Sequence, residues 1–374
     1  MADAGKLGAR RRLDVAACAK AGCCRIGEAV NPGPRRSRLR PEVDLAGIEL
    51  LEPATIAIRE RVTESFLSWF SSEYPDADFA TWAGAVPSLA VLALVAFGHY
   101  SYDMGTPLLY YRQLLAHMQR SFLQLRPFMM TAWETVSKWE LMEPTQHRPP
   151  LPEPLLHAMT VLGISWGWPR WSAVLLGCFY AICRVGEFLT AQRKDVLTPQ
   201  DLLSDEAVIY LQIKLPKTRR RGAAVQYATI SEPAVVQFLC SIWDRLKRDE
   251  FLYPGSAGAF RSRWDAALKH IGIGKQHRLT PGSLRGGGAV ACHRRGIHIS
   301  DLLWKMRLQH QRTLSYYLQE TTAMSVLPAL EESVRTKVQF LRDALPLFLH
   351  QRGPAAHTSC KEVADRLRTR CQPR

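Results

Sequence analysis

The chain has 374 residues, 47% of them hydrophobic and 22% charged, with 49 Lys and Arg against 34 Asp and Glu, a formal net charge of +15. Such a length holds two ordinary domains with cores of their own, and this composition excludes a disordered chain. The cationic excess points to a polyanionic partner, nucleic acid ahead of an anionic membrane surface.

The first 40 residues carry ten Lys or Arg against Asp3, Asp14 and Glu28, a local excess of +7. With Asn31-Pro-Gly-Pro34 inside it, the stretch over 1–44 reads as a disordered basic arm. It has no apolar signal region, so secretion is not expected. Cys18, Cys23 and Cys24 are followed by no second pair at finger spacing, so no metal site is expected there. The nine cysteines form no disulfide framework and are read as reduced thiols of an intracellular protein, nuclear if the source is eukaryotic.

From 45 to 143 the pattern is helical. Ile58, Val62, Phe66 and Trp69-Phe70 recur at three-to-four spacing, which predicts an amphipathic helix over 55–70. Further helices are predicted over 86–100, 106–122 and 125–140, punctuated by Gly105-Thr-Pro107 and Arg126-Pro127. Five prolines between Pro144 and Pro154 then make a stiff linker and a domain boundary.

The second domain, 155–347, opens with helices over 153–166 and 170–190. Residues 208–214 and 224–230 read as two strands around a basic hairpin tip. Helices follow over 233–248, 258–271, 280–295, 299–306, 311–321 and 329–345, and a basic tail covers 348–374. The fold class is therefore mainly α with one small antiparallel sheet. The longest apolar runs, 89–97 and 173–183, are too short to span a bilayer and are core segments, so no membrane partner is expected.

Four segments of the second domain carry chemistry. Ala181-Ile-Cys-Arg-Val-Gly-Glu-Phe-Leu189 puts Arg184 at the end of an apolar helix, where its guanidinium can fork onto a phosphate with Glu187 orienting it. Lys214-Leu-Pro-Lys217-Thr-Arg-Arg-Arg-Gly222 is the hairpin tip, with Arg219, Arg220 and Arg221 beside Lys217. Leu279-Thr-Pro-Gly-Ser-Leu-Arg285-Gly-Gly-Gly288 predicts a helix capped by Thr280 with Pro281 at its first position, which puts Arg285 in the second turn. Three glycines in a row there cost about 1 kcal/mol each relative to alanine, so a neighbouring helix or a phosphate must require close backbone approach. The fourth segment runs from Trp304 to Glu320 and contains Arg307, His310 and the pair Tyr316-Tyr317.

In order and spacing these segments resemble the active-site boxes of tyrosine recombinases, over roughly residues 150–345. The resemblance implies a helical core-binding domain over 45–143 and a catalytic domain that together clamp duplex DNA. It implies Tyr317 as nucleophile, Arg184 and Arg285 as phosphate ligands and Lys217, preferred to Lys214, as general acid. Glu187 and His310 would support catalysis, and Lys214, Arg219, Arg220, Arg221 and Arg307 would contact DNA. No metal or other cofactor is implied, and a homo-oligomer on DNA, dimer or tetramer, is. The family carries histidines where this chain has Gly282 and Gly286, and His or Trp nine residues before the nucleophile, where this chain has Leu308. His310 or Trp304 would have to substitute from another turn. The Arg-Gly-Gly-Gly form resembles divergent recombinases of eukaryotic mobile elements and their domesticated descendants. The implied activity is DNA strand cleavage and rejoining, the alternative a DNA-binding protein that keeps the fold without the chemistry. The C-terminal stripe Leu330, Val334, Val338 and Leu341 has two readings, docking on a neighbouring protomer or packing on its own domain.

Overall fold

The computed structural model describes residues 51–144, 148–214, 225–318 and 320–349. The expected basic arm over 1–44, the hairpin tip with Lys217, Arg219, Arg220 and Arg221, and the basic tail from residue 350 lie outside the described residues. The chain forms two compact units that divide between Pro144 and Thr145. No described helix is long and apolar enough to cross a membrane.

The first unit is helical: α1 (Pro53–Glu73), α2 (Phe79–Ala85), α3 (Pro87–Asp103), α4 (Leu108–Ser121) and α5 (Met130–Met142). Val62, Phe66 and Phe70 recur every four residues on α1 and are buried, the stripe expected from the sequence. Phe66 is the hub of the core, with Phe79 and Phe97 edge-on at centroid distances of 4.9 and 5.2 Å. α2 was not predicted, and its start is fixed by Asp78, whose carboxylate accepts from the Thr81 N–H at 2.7 Å. The single helix expected over 125–140 is instead a 3-10 turn (Leu123–Phe128) followed by α5, because Pro127 supplies no amide hydrogen to an α-helix.

The second unit is mainly α with a small sheet. Its core helices are α6 (Glu153–Ser165) and α7 (Pro169–Tyr180), the latter buried at every position from Trp171 to Phe179. After a short helix α8 (Val185–Leu189) comes a three-stranded antiparallel sheet, β1 (Val196–Leu197), β2 (Ile209–Ile213) and β3 (Gln226–Ile230), in sequence order. Ile209 faces Ile230 and Leu211 faces Ala228, so the period of two that predicted the strands also sets their register. Then come α9 (Pro233–Trp243), α10 (Ala257–Ile271), α11 (Ser283–Arg294), α12 (Ile299–Met306), α13 (Gln311–Ser315), α14 (Glu320–Val326) and α15 (Glu332–Leu349). Val338, Leu341, Leu345 and Phe348 of α15 are buried in the same core cluster as Leu155, Leu156 and Met159 of α6. Of the two readings of the C-terminal stripe, packing on its own domain is the one observed.

The glycine run of α11 has a packing cause. A Cβ on Gly288 would run into the Phe179 carbonyl of α7, and one on Gly287 into the Leu151 carbonyl. α11 therefore touches the backbone of its neighbours, and the close approach is to protein. Gly286 is different: a Cβ there would meet Pro150 at 3.5 Å, an ordinary contact. Gly288→Ala should therefore cost about 3 kcal/mol or prevent folding. Gly286→Ala should leave stability unchanged or raise it by up to about 1 kcal/mol through helix propensity. Denaturant unfolding of the two variants checks this, and equal midpoints would contradict the packing described.

Candidate active site

The long helix expected over 170–190 is interrupted. α7 stops at Tyr180, and the short helix α8 (Val185–Leu189) begins after Arg184. The stop is a Schellman turn: Cys183 N–H donates to the Cys178 carbonyl at 2.9 Å, and Ile182 N–H to that of Phe179 at 3.2 Å. Such turns need a left-handed residue, ordinarily glycine, yet here Ile182 adopts φ +49°. A β-branched residue in that region carries about 1–2 kcal/mol of strain. Its side chain is fully buried with Ala289, Cys292, Leu302, Met306 and Leu314, which offsets that cost. The turn delivers Arg184 to the head of α8, where Glu187 receives its backbone N–H at 2.9 Å and its Nη1 at 3.0 Å.

A second turn of the same kind ends α12. Leu308 N–H donates to the Leu303 carbonyl at 2.9 Å, Arg307 N–H to that of Trp304 at 2.9 Å, and Arg307 itself is left-handed at φ +56°. Arg307 was expected on the DNA-binding surface. Instead its side chain is 7% exposed, its Nη2 donates to Glu187 Oε2 at 2.7 Å, and its guanidinium lies over the Cys183 sulfur at 3.8 Å. Glu187 thus serves two arginines. Burial pushes the Cys183 thiol up to about 12, against the pull of Arg307 and Arg285. That thiol is an inert part of the wall.

Arg285 completes the cluster. The helix carrying it starts at Ser283, not at Pro281. Thr280 and Pro281 form a preceding turn in which Ser283 N–H donates to the Thr280 carbonyl at 2.8 Å. Arg285 is therefore in the first turn of α11 rather than the second. It is 3% exposed, and its Nη2 donates to the carbonyl of Met306 at the negative end of α12. Its Nε and Nη1 are buried without a protein acceptor. Burial first, then Arg184 and Arg307, pull its pKa down to about 10, so it stays charged at neutral pH. The Tyr317 ring covers it, 5.5 Å from centroid to guanidinium carbon.

Tyr317 is not within a helix, as the expectation of one helix over 311–321 had it. It follows α13 in a turn, its N–H donating to the Leu314 carbonyl at 2.8 Å. Tyr317 packs on the apolar cluster under Arg285, whereas Tyr316 is 47% exposed. The other expected residues stand apart. Lys214 is half-exposed and paired with the buried carboxylate of Asp195. His310 is exposed ahead of α13, its ring making no hydrogen bond to the three arginines, and Trp304 is 86% exposed. Leu308 turns into the apolar cluster. The cation nearest to that position is Arg307, whose link to Glu187 the sequence does not signal.

No family model matches the chain, and no curated protein does. In fold the chain is similar to solved tyrosine recombinases and integrases. XerA recombinase is 14% identical, with 78% of this chain and 92% of that one covered and a TM-score of 0.36. The Tn1549 transposon integrase in complex with circular intermediate DNA is 12% identical, with 70% and 98% covered and a TM-score of 0.45. A lambda integrase dimer bound to a COC′ core site is 13% identical, with 74% and 83% covered and a TM-score of 0.43. At such scores, the chemistry of this chain is read from its own residues.

Three guanidiniums with one carboxylate, and two buried N–H groups of Arg285 without a protein acceptor, make a site that favours a dianion or a phosphodiester over any neutral ligand. The same imbalance predicts opposite effects of substitution. Arg285→Met removes a buried, partly unsatisfied charge and should leave the melting temperature unchanged or raise it. Glu187→Ala leaves Arg307 buried without its carboxylate and should cost about 3 kcal/mol. Calorimetry of both variants decides. A comparable loss in Arg285→Met would mean that Arg285 is there for stability.

Proposed function

We propose that this chain breaks and rejoins DNA strands through a 3′-phosphotyrosyl link, in the manner of a tyrosine recombinase. The observation that carries the reading is the buried Arg285, with two N–H groups lacking a protein acceptor and the Tyr317 ring against it. A phosphodiester resists attack until its charge is neutralised. Arg184 and Arg285 supply that neutralisation through charge-assisted hydrogen bonds that strengthen as the pentacoordinate transition state forms. Glu187 and Arg307 fix the position of Arg184. The Tyr317 phenolic oxygen attacks phosphorus as its proton passes to solvent water, the bond to the 5′ oxygen breaks, and Lys217 of the hairpin tip protonates the leaving oxygen. Attack by a 5′ hydroxyl of another strand reverses the sequence and rejoins the DNA. Duplex DNA is the substrate, with a dimer or tetramer of this chain as the working assembly and the nucleus as its compartment in a eukaryote.

A second reading, duplex binding without chemistry, is favoured by Gly282, Gly286 and Leu308, three positions that supply no imidazole. Loss of one transition-state donor typically costs about 10²–10³ in rate. On a nicked duplex, the protein should form a denaturant-resistant adduct that Tyr317→Phe abolishes and Tyr316→Phe retains, with duplex affinity unchanged in both. An adduct that survives Tyr317→Phe and is lost in Tyr316→Phe would transfer the role to the other ring. No adduct, with binding that falls steeply with salt at about −0.9 per phosphate on a log–log scale, would support the second reading.

A further inference from the structure

Gly282, which caps α11, and Gly286 within it lie one turn apart, one on each side of Arg285, and a single segment runs beside both. Arg148-Pro-Pro-Leu151 runs along the start of the helix. Leu151 N–H donates to the Ser283 carbonyl at 3.0 Å, Pro149 and Pro150 are buried, and Pro150 rests on Gly286. A residue before proline is biased to extended backbone, so the exposed Arg148 stands at the head of an extended segment anchored by the Leu151 bond. Its Nη1 lies 2.7 Å from the point that a Cβ on Gly282 would occupy. Gly282 has ordinary helical torsions, φ −64° and ψ −19°. Nothing in the backbone therefore requires a glycine there, and what its missing side chain makes room for is the Arg148 guanidinium. The Thr280 hydroxyl, 3.5 Å from the same point, is buried without a partner. One helical turn further on, Arg285 Nε and Nη1 are buried and unpartnered too.

We infer that Arg148 is a further phosphate ligand of this site, donating from the Arg148–Leu151 segment across the space that Gly282 leaves open. The inference rests on the reading of the arginine cluster as a phosphodiester site. Arg148 would supply from outside α11 a donor that the helix itself lacks at position 282, and the sequence Arg-Pro-Pro would serve to aim it.

The test uses the full chain and two separate readouts: affinity for inorganic phosphate by calorimetric titration, and covalent capture of a nicked duplex. Arg148→Ala should weaken phosphate binding about 10- to 100-fold, the usual loss of a charge-assisted hydrogen bond, and slow capture. Gly282→Leu, at an exposed helical position that tolerates a side chain, should do the same by displacing the guanidinium. The double variant should be no worse than Arg148→Ala alone, because both changes remove one interaction. Wild-type affinity in either single variant, or additive losses in the double, overturns the inference. Capture by the wild type with Arg148→Ala unaffected in both readouts removes Arg148 and leaves the recombinase reading intact. Phosphate binding that depends on Arg148, without capture by the wild type, keeps the ligand and removes the chemistry. No phosphate binding by the wild type removes both.

Discussion

The second unit is organised around a charge it does not neutralise. Arg184 and Arg307 pair with one carboxylate, Glu187, while Arg285 beside them is buried with its Nε and Nη1 lacking protein acceptors. Burying cations in this way costs several kcal/mol that a hydrophobic replacement would recover. The surrounding structure holds them all the same. Two of the unit's left-handed non-glycine residues sit at the site as well: Ile182, just before Cys183-Arg184, and Arg307 itself. Strain and unsatisfied charge gathered at one point are what a preorganised anion site requires.

The scaffold explains how such a cluster is kept in place. α7 is buried on every face from Trp171 to Phe179, so its last turn is a rigid platform for Arg184. Gly287 and Gly288 let α11 press against the backbones of Leu151 and Phe179, which fixes the helix carrying Arg285 to that platform. The small cluster of Ile182, Ala289, Cys292, Leu302, Met306 and Leu314 then ties the ends of α7, α11, α12 and α13 together beneath Tyr317. Arg184, Arg285 and Tyr317 each stand at or just beyond a helix terminus, and those helices are joined by apolar packing below them.

Much of this was legible in the chain. Apolar periodicity gave the helices and alternation gave β2 and β3, because both patterns follow directly from which face is buried. Arg184, Glu187, Arg285 and Tyr317 were singled out from their sequence contexts, and the structure brings them together. What escaped was set by tertiary context. The break at 181–184 carries no glycine or proline signal, since Ile182 occupies the left-handed position that glycine usually fills, and a run such as Ala173–Cys183 reads as one helix. The break after α13 was hidden likewise. Arg307 looked like one more surface cation, because its partner Glu187 is 120 residues away in sequence. The glycine run was recognised as a close approach, but only the fold shows that its partners are Leu151 and Phe179.

If the chain works as proposed, the unpartnered Nε and Nη1 of Arg285 receive a DNA phosphate. The most direct measurement is the arginine Nε–H spectrum of the protein labelled with nitrogen-15, titrated with a nicked duplex, the Arg285 resonance being assigned by its loss in Arg285→Lys. The account predicts a saturable shift of that resonance, in step with duplex binding and retained in Tyr317→Phe. A resonance that stays fixed while the duplex binds would mean that Arg285 is a buried structural cation and that the DNA lies elsewhere.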